Sequence, residues 1–220
     1  LGDFAEARTV LAQAQAAAER ATNRRIAASA QLLRMRVRLY SAEPGDWSDE
    51  TLRIADSVIP LFEREGAHSE MARAWRLIGL VHGSAARYGQ STYAVSRSMV
   101  HARLAGDERL ISRNAMGLSI STLLGPTPVL EAIARCERMI ADGLSDRQAQ
   151  SKIICCLAQL HAMNADFDQA RALCRRGRGL LRELGQGAEG LPAQRAGALG
   201  HVVGDRVDLG GYGDDGELRA

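Results

Sequence analysis

Two glycines in the stretch VHGSAARYGQSTY, residues 81–93, could do chemistry, because phosphate-binding loops are built on paired glycines. Such a loop needs Gly, four residues, then Gly-Lys-Ser/Thr, so that backbone amides surround the phosphates and the Lys reaches them. Here five residues separate Gly83 from Gly89, and Gln90 stands at the Lys position. The preceding residues also have helical rather than strand periodicity. We therefore interpret the stretch as the turn between two helices.

Histidines and cysteines show no spacing typical of a metal or catalytic site. The four cysteines lack a CxxC pair, and we expect buried free thiols in a reducing cytoplasm; they are Cys136, Cys155, Cys156 and Cys174. His82 and His161 recur at equivalent places, as core histidines with satisfied hydrogen bonds would. HExxH and GxSxG patterns are absent, and the carboxylates are spread along the chain. The sequence predicts no catalytic residue, no metal and no cofactor.

Composition argues against several classes of protein. The 220 residues include 46% hydrophobic residues but only 4% aromatic residues, and Ala, Leu and Arg favour helices. A net charge of +2 gives no global field for nucleic acid, so we predict no direct nucleic-acid binding by this segment. With no signal peptide and no apolar run of about 20 residues, we predict no membrane association and a cytoplasmic location. The chain starts at Leu1 without Met, so we expect a fragment.

A repeat of roughly 40 residues underlies the helical pattern. Three segments place an aromatic residue at a helix entrance and small residues seven apart on one stripe; their aromatics are Phe4, Tyr88 and Phe167. Further units fill the gaps, and Gly143 is expected to stop one helix. Partner helices are predicted at about 22–41, 68–86, 107–124 and 146–163. We predict an all-α helical-hairpin solenoid over residues 1–187, with a truncated first repeat.

The segment 188–220 differs in composition, because its glycine content is high enough to disfavour helices. Its stretch GGYGDDGEL matches most of a calcium-binding nonapeptide repeat, but Glu217 occupies the apolar position and a single copy cannot stack. We interpret 188–220 as an irregular Gly-rich region or a degenerate terminal repeat.

The run AWRLIGLVHGSAARYGQSTYAVSRS resembles the tetratricopeptide repeat in its Trp, its apolar-Gly pair, its aromatic turn and its small residues. His82 and His161 replace the usual first-helix Tyr, and the spacing exceeds the usual 34. Runs such as GDFAEAR and LCRRGRGLLRELGQG are similar to the repeat region of large bacterial regulators that carry an ATPase module and an output domain. That output domain is a nucleotide cyclase or a LuxR-type transcription activator.

The resemblance implies a non-catalytic scaffold for protein interaction or sensing within such a signalling or transcription regulator. The alternative is a fragment of an ATP-binding nucleotide cyclase or ATPase whose catalytic domains lie outside this chain. Because a truncated first repeat can expose an apolar face, we also expect possible self-association.

In this repeat family the first helix of each pair lines an inner groove. The inward positions would then be Arg24, Gln31, Arg34, Arg73, Arg76, Asn114, Lys152 and Gln159. They offer cations and amides without a carboxylate, which predicts a partner protein or peptide that is acidic, or that carries a free carboxylate terminus or a phosphate. The competing interpretation is that these are ordinary exposed polar residues of helix surfaces.

Overall fold

The computed structural model describes residues 4–41 and 47–188, and within these ranges the chain forms nine α-helices and no strand. In chain order they are α1 (Phe4–Arg20), α2 (Arg24–Ser41), α3 (Trp47–Arg64), α4 (His68–Ser84), α5 (Tyr88–Leu104), α6 (Glu108–Leu124), α7 (Val129–Ala141), α8 (Arg147–Met163) and α9 (Phe167–Ala188). Each helix packs on its neighbour in sequence. The prediction of an all-α helical-hairpin solenoid is therefore confirmed.

The predicted partner helices correspond to α2, α4, α6 and α8, which begin at residues 24, 68, 108 and 147. Their starts agree with the sequence prediction within two residues, and their spacing preserves the period of roughly 40 residues. The Gly-rich segment predicted at 188–220 lies outside the described residues, apart from Ala188 at the end of α9.

The turn between α4 and α5 answers the question raised by the paired glycines. After Ser84 the chain reverses through Ala86, whose φ is +55°, and the Arg87 N–H donates to the His82 carbonyl at 2.9 Å. The prediction of an interhelical turn is correct, and Gly89 is the second residue of α5. Gly143 has a φ of +75° just after α7, as expected for a helix stop.

Small residues let α4 and α5 approach closely. A Cβ added at Gly79 would lie 2.5 Å from Cγ2 of Val95, so these helix backbones meet where a side chain is missing. Ser91 and Ser98 face the same contact from α5, and their hydroxyls donate to the carbonyls of Gly79 and Ala72 at 2.9 and 2.6 Å. The stripe of small residues predicted from the sequence is thus a packing device.

Two larger apolar cores and one small cluster pack the helices from α2 to α9 together. The first core lies mainly on α2, α3 and α4 around residues such as Phe62, and the second mainly on α6 to α9 around Ile153 and Ile154. Between these cores, the contact of α4, α5 and α6 buries polar side chains such as Ser98 and Asn114 beside the small apolar cluster of Ala72, Ala102 and Leu110. The arrangement fits a repeat array, in which each unit completes its core with its neighbours. We call the contact of α4, α5 and α6 the polar seam.

Among the described residues, none of the helices is both long enough and apolar enough to cross a membrane.

Candidate functional site

A cleft between α2, α4 and α6 brings arginines from three helices to one surface. Its arginines are Arg36, Arg73, Arg76 and Arg113, and the leucines beside them are Leu32, Leu33, Leu77, Leu80 and Leu110. We call this surface the arginine cleft. The sequence predicts α2, α4 and α6 as first helices of successive pairs, so the arginine cleft is lined by the helices that are expected along an inner groove. It combines strong hydrogen-bond donors with apolar surface, which is typical of a ligand site.

Arg76 is the most deeply placed of these cations. Its Nη1 donates to the Arg113 carbonyl at 3.1 Å and to Oδ1 of Asn114 at 3.0 Å, both neutral acceptors. Burial lowers the pKa of the Arg76 guanidinium to about 10, with the phenol of Tyr40 acting in the opposite direction and Arg113 and Arg36 lowering it further. The group remains charged at neutral pH, and no carboxylate is among the groups that shift its pKa.

One edge of the Arg76 guanidinium makes no hydrogen bond among the described residues. Both hydrogen bonds that Arg76 makes within the described residues start from Nη1, so Nε and Nη2 make none. A Cβ added at Gly117 would lie 3.7 Å from Nη1, which places the head of Arg76 against α6. The Nε–Nη2 edge is the fork that binds carboxylate or phosphate in a bidentate manner.

A buried chain of hydrogen bonds fixes Arg76 from below. Asn114 is fully buried, and its Nδ2 donates to Oγ of Ser98 at 2.8 Å while its Oδ1 accepts from Arg76. Ser98 in turn donates to the Ala72 carbonyl on α4 at 2.6 Å. These contacts are part of the polar seam, and they hold a guanidinium in one orientation before any ligand arrives.

Arg36, Arg73 and Arg113 complete the cluster without ion pairs of their own in the part of the chain that the structure describes. Arg36 and Arg73 are exposed, whereas Arg113 is half-buried. Burial lowers the pKa of Arg113, and the neighbouring Arg109 and Arg36 lower it further. Like charges therefore repel one another across the arginine cleft, and an anion would relieve that repulsion.

Glu70 also lines the arginine cleft, which corrects the expectation of an inner face without a carboxylate. Its Oε1 accepts from Nε and Nη2 of Arg25 at 2.9 and 2.7 Å, so its charge is paired with a cation outside the arginine cluster. Its Oε2 is buried and has no hydrogen-bond partner. The arginine cleft thus presents one free acceptor beside several free donors.

The structure brings together three of the eight residues that the sequence placed in the groove. Arg73 and Arg76 line the arginine cleft, and Asn114 lies beneath Arg76 rather than at the surface. Arg34 turns towards α1, where its Nη1 donates to Oε1 of Gln15 at 2.8 Å. The remaining four lie on α2 or α8 but do not line the arginine cleft: Arg24, Gln31, Lys152 and Gln159.

Arg36 and Arg113 are the site residues that sequence reasoning missed. The sequence contains a pattern that could have identified them. Arg36, Arg76 and Arg113 follow one another at close to one repeat period, and each stands three or four residues after a leucine or an alanine of its helix. The predicted groove residues assign Arg34, rather than Arg36, to the inner face of α2.

The histidines lie elsewhere and depart partly from expectation. His161 is a core histidine satisfied at Nδ1 alone, since its Nδ1 lies 3.1 Å from Oδ2 of Asp166 while its Nε2 is buried without a partner. His82 is not, because its Nδ1 is buried without a partner, and burial lowers its pKa. His68 and His101, which the sequence did not single out, stack with ring centroids 5.5 Å apart and Nδ1 atoms 3.3 Å apart.

All four cysteines are free thiols, as expected, but they are not all buried. Cys136 and Cys156 are buried, Cys155 is half-buried and Cys174 is exposed on α9, which corrects the prediction for that residue. Burial raises the pKa of the Cys136 thiol to about 12 and also raises the pKa of Cys155 and Cys156. Raised pKa values disfavour the nucleophilic thiolate at neutral pH.

In the described ranges, no three His, Cys, Asp or Glu residues are grouped so that they could hold a metal ion. What the described residues do assemble is a set of converging guanidinium groups, which suits binding of an oxyanion. No protein-family model and no curated protein matches this chain, so conclusions about the arginine cleft rest on its geometry and chemistry.

Proposed function

We propose that this chain is a non-catalytic interaction module that binds an acidic segment of a partner protein in the arginine cleft. The observation that carries the proposal is the buried guanidinium of Arg76, which is held by neutral acceptors, has no carboxylate among its hydrogen-bond partners and lies beside Arg36 and Arg113. A buried charge without a counter-ion is costly, and a bound anion offsets that cost.

The neighbouring leucines support a peptide partner. Leu32, Leu77 and Leu110 are largely buried, while Leu33 and Leu80 stay half-buried at the cleft surface. An acidic segment with an apolar side chain would place its carboxylates on the guanidinium groups and its apolar side chain on the leucines. Repeat solenoids use such extended surfaces for protein binding.

The sequence resemblance to tetratricopeptide repeats extends the proposal to the parent protein. In that interpretation the module belongs to a larger bacterial signalling or transcription regulator and transmits the presence of the partner to its flanking domains. The AWRLIGLVHG run of α4, which supplies Arg76, is one of the runs that carry this resemblance.

Fluorescence anisotropy with defined peptide libraries tests the proposal. One labelled library contains Asp, Glu and Leu at random positions, and its counterpart replaces the acids by Lys. We expect binding of the acidic library alone, with an affinity that falls as salt rises from 50 to about 300 mM. The Arg36→Glu, Arg73→Glu variant changes exposed cleft residues and should abolish binding.

The matched control is Arg53→Glu, Arg64→Glu, which makes the same charge change at exposed residues of α3 outside the arginine cleft. It should bind like the parent chain. Equal loss in both double variants would mean that overall charge rather than the arginine cleft governs binding, and the proposal would be abandoned.

A further inference from the structure

The arginine cleft offers more positive charge than one carboxylate can neutralise. Arg36, Arg76 and Arg113 line the same cleft, Arg36 lowers the pKa of the other two, and none of the three has an ion pair among the described residues. A carboxylate brings one charge and two oxygens. A phosphate monoester brings a charge of nearly −2 near neutral pH and three acceptor oxygens, which can accept hydrogen bonds from three guanidinium groups at once.

The size of the enclosed space fits a single group of a larger ligand. The cleft encloses about 40 Å³. On the same measure one water molecule needs about 10–15 Å³, so the space holds a few heavy atoms. A phosphate group can enter it, whereas the rest of its carrier must lie along the open surface.

The free acceptor in the cleft favours a peptide as that carrier. Oε2 of Glu70 is buried without a partner, and a peptide N–H that reaches it can donate to it, which the dianion of a phosphate monoester, having no proton of its own, cannot do. Glu70 precedes Arg76 by six residues of α4, about 9 Å along a helix that rises 1.5 Å per residue. That span corresponds to about three residues of extended peptide.

We propose that the arginine cleft binds a phosphorylated side chain of a partner peptide, with the phosphate on Arg36, Arg76 and Arg113 and a peptide N–H two or three residues away on Glu70. The inference rests on the proposed function, since it names the acidic group that the partner carries. Arg76 supplies the pre-oriented fork, because Asn114 and the Arg113 carbonyl hold its Nη1. The half-buried Leu33 and Leu80 accept an apolar side chain of the same peptide.

Calorimetric titration with oriented peptide libraries tests this inference. One library has a fixed phosphoserine with degenerate flanking residues, a second has Glu at the fixed position, a third has Ser, and inorganic phosphate is titrated alone. We expect the phosphoserine library to bind at least tenfold more tightly than the Glu library and inorganic phosphate. Its affinity should also fall as the pH drops below about 6, where the phosphate loses its second charge.

Variants locate the bound group. Arg76→Lys keeps the charge but loses the planar fork, so we expect at least a tenfold loss for the phosphoserine library. If Arg76→Lys fails to fold, the double variant Arg36→Gln, Arg113→Gln replaces it in the test. It changes residues that make no ion pair, and it should cause a comparable loss of affinity. Arg53→Gln, Arg64→Gln on α3 is the control and should bind as the parent chain does. Circular dichroism and urea midpoints establish that each variant is folded.

The outcomes separate the two proposals. Equal binding of the phosphoserine and Glu libraries overturns the phosphate inference and leaves the binding of acidic segments standing. Binding of inorganic phosphate as tight as that of the peptide library overturns the peptide part of the inference. If neither library binds at millimolar concentration, or if the cleft variants bind like the control, both proposals are wrong.

Discussion

Nη1 of Arg76 donates a hydrogen bond across 3.0 Å to Oδ1 of Asn114, so a fully buried amide orients the cation at the centre of the arginine cleft. The same amide donates to Ser98, which ties the orientation of Arg76 to the contact between α4 and α5. Binding chemistry and packing of the solenoid are therefore joined in one residue that itself never reaches the surface.

Asn114→Ala should lower both stability and anion binding. The substitution removes one of the hydrogen-bond partners of Arg76 and one of Ser98, and we expect the free energy of unfolding to fall by about 1–3 kcal/mol. Urea denaturation measures this loss. Gln159→Ala, which removes an exposed amide of α8, is the control and should change stability by less than about 0.5 kcal/mol. Similar values for both variants would show that the amide of Asn114 contributes little.

Gly79→Ala should destabilise the contact of α4 with α5. The new Cβ would lie 2.5 Å from Cγ2 of Val95, and separating the two helices costs about 1–3 kcal/mol. A second substitution, Val95→Ala, should recover part of the loss, which a double-mutant cycle measures. Gly179→Ala on α9 meets nothing within 4 Å and should instead stabilise the helix by about 1 kcal/mol. Additive effects of Gly79→Ala and Val95→Ala would contradict the proposed clash.

Acid should destabilise the protein through His101. Burial, then Arg97 and His68, lower the pKa of His101 below its ordinary value of 6.5. The unfolded chain therefore takes up the proton first, so the contribution of His101 to stability is present above about pH 6.5 and is lost as the pH falls through the lowered pKa. His101→Gln should reduce the loss of unfolding free energy between about pH 7 and 5. Parallel pH profiles for the variant and the parent would exclude this role.

Thiol labelling should separate the cysteines in a defined order. Cys174 is exposed, whereas Cys136 is buried and its pKa is raised to about 12. At about pH 8 a thiol reagent should modify Cys174 first and reach Cys136 only after urea unfolds the chain. Cys174→Ser should remove the fast phase of labelling. Fast modification of Cys136 in the native protein, read by peptide mass, would mean that its helix opens readily.

Much of the fold could be predicted because helix periodicity and turn residues act locally. The spacing of apolar residues placed α4 and α8, and Gly143 marked the end of α7, as the sequence required. The positive φ at Ala86 could not be predicted in this way, since alanine rarely adopts that conformation and only the surrounding helices impose it.

The arginine cleft was predicted less completely because it depends on neighbours distant in sequence. Arg34 and Arg36 are two positions apart and therefore point about 200° apart around α2, so a small error in the helical frame exchanges the inward residue for the outward one. Asn114 was expected at the surface because polar side chains usually lie there, yet it is fully buried. Its burial follows from partners on α4 and α5 that no local pattern reveals.

The polar seam also gives the solenoid a direction of mechanical weakness. The larger apolar cores lie on either side of it, and within it lies the small apolar cluster of Ala72, Ala102 and Leu110. The hydrogen bonds of Ser98 and Asn114 can be exchanged for bonds to water once the helices part. When the two ends of the chain are pulled apart in an optical trap, we expect the first extension step to open at α5 and α6. An anion bound across α2, α4 and α6 would raise the force of that step, so ligand binding would increase the mechanical resistance of the module.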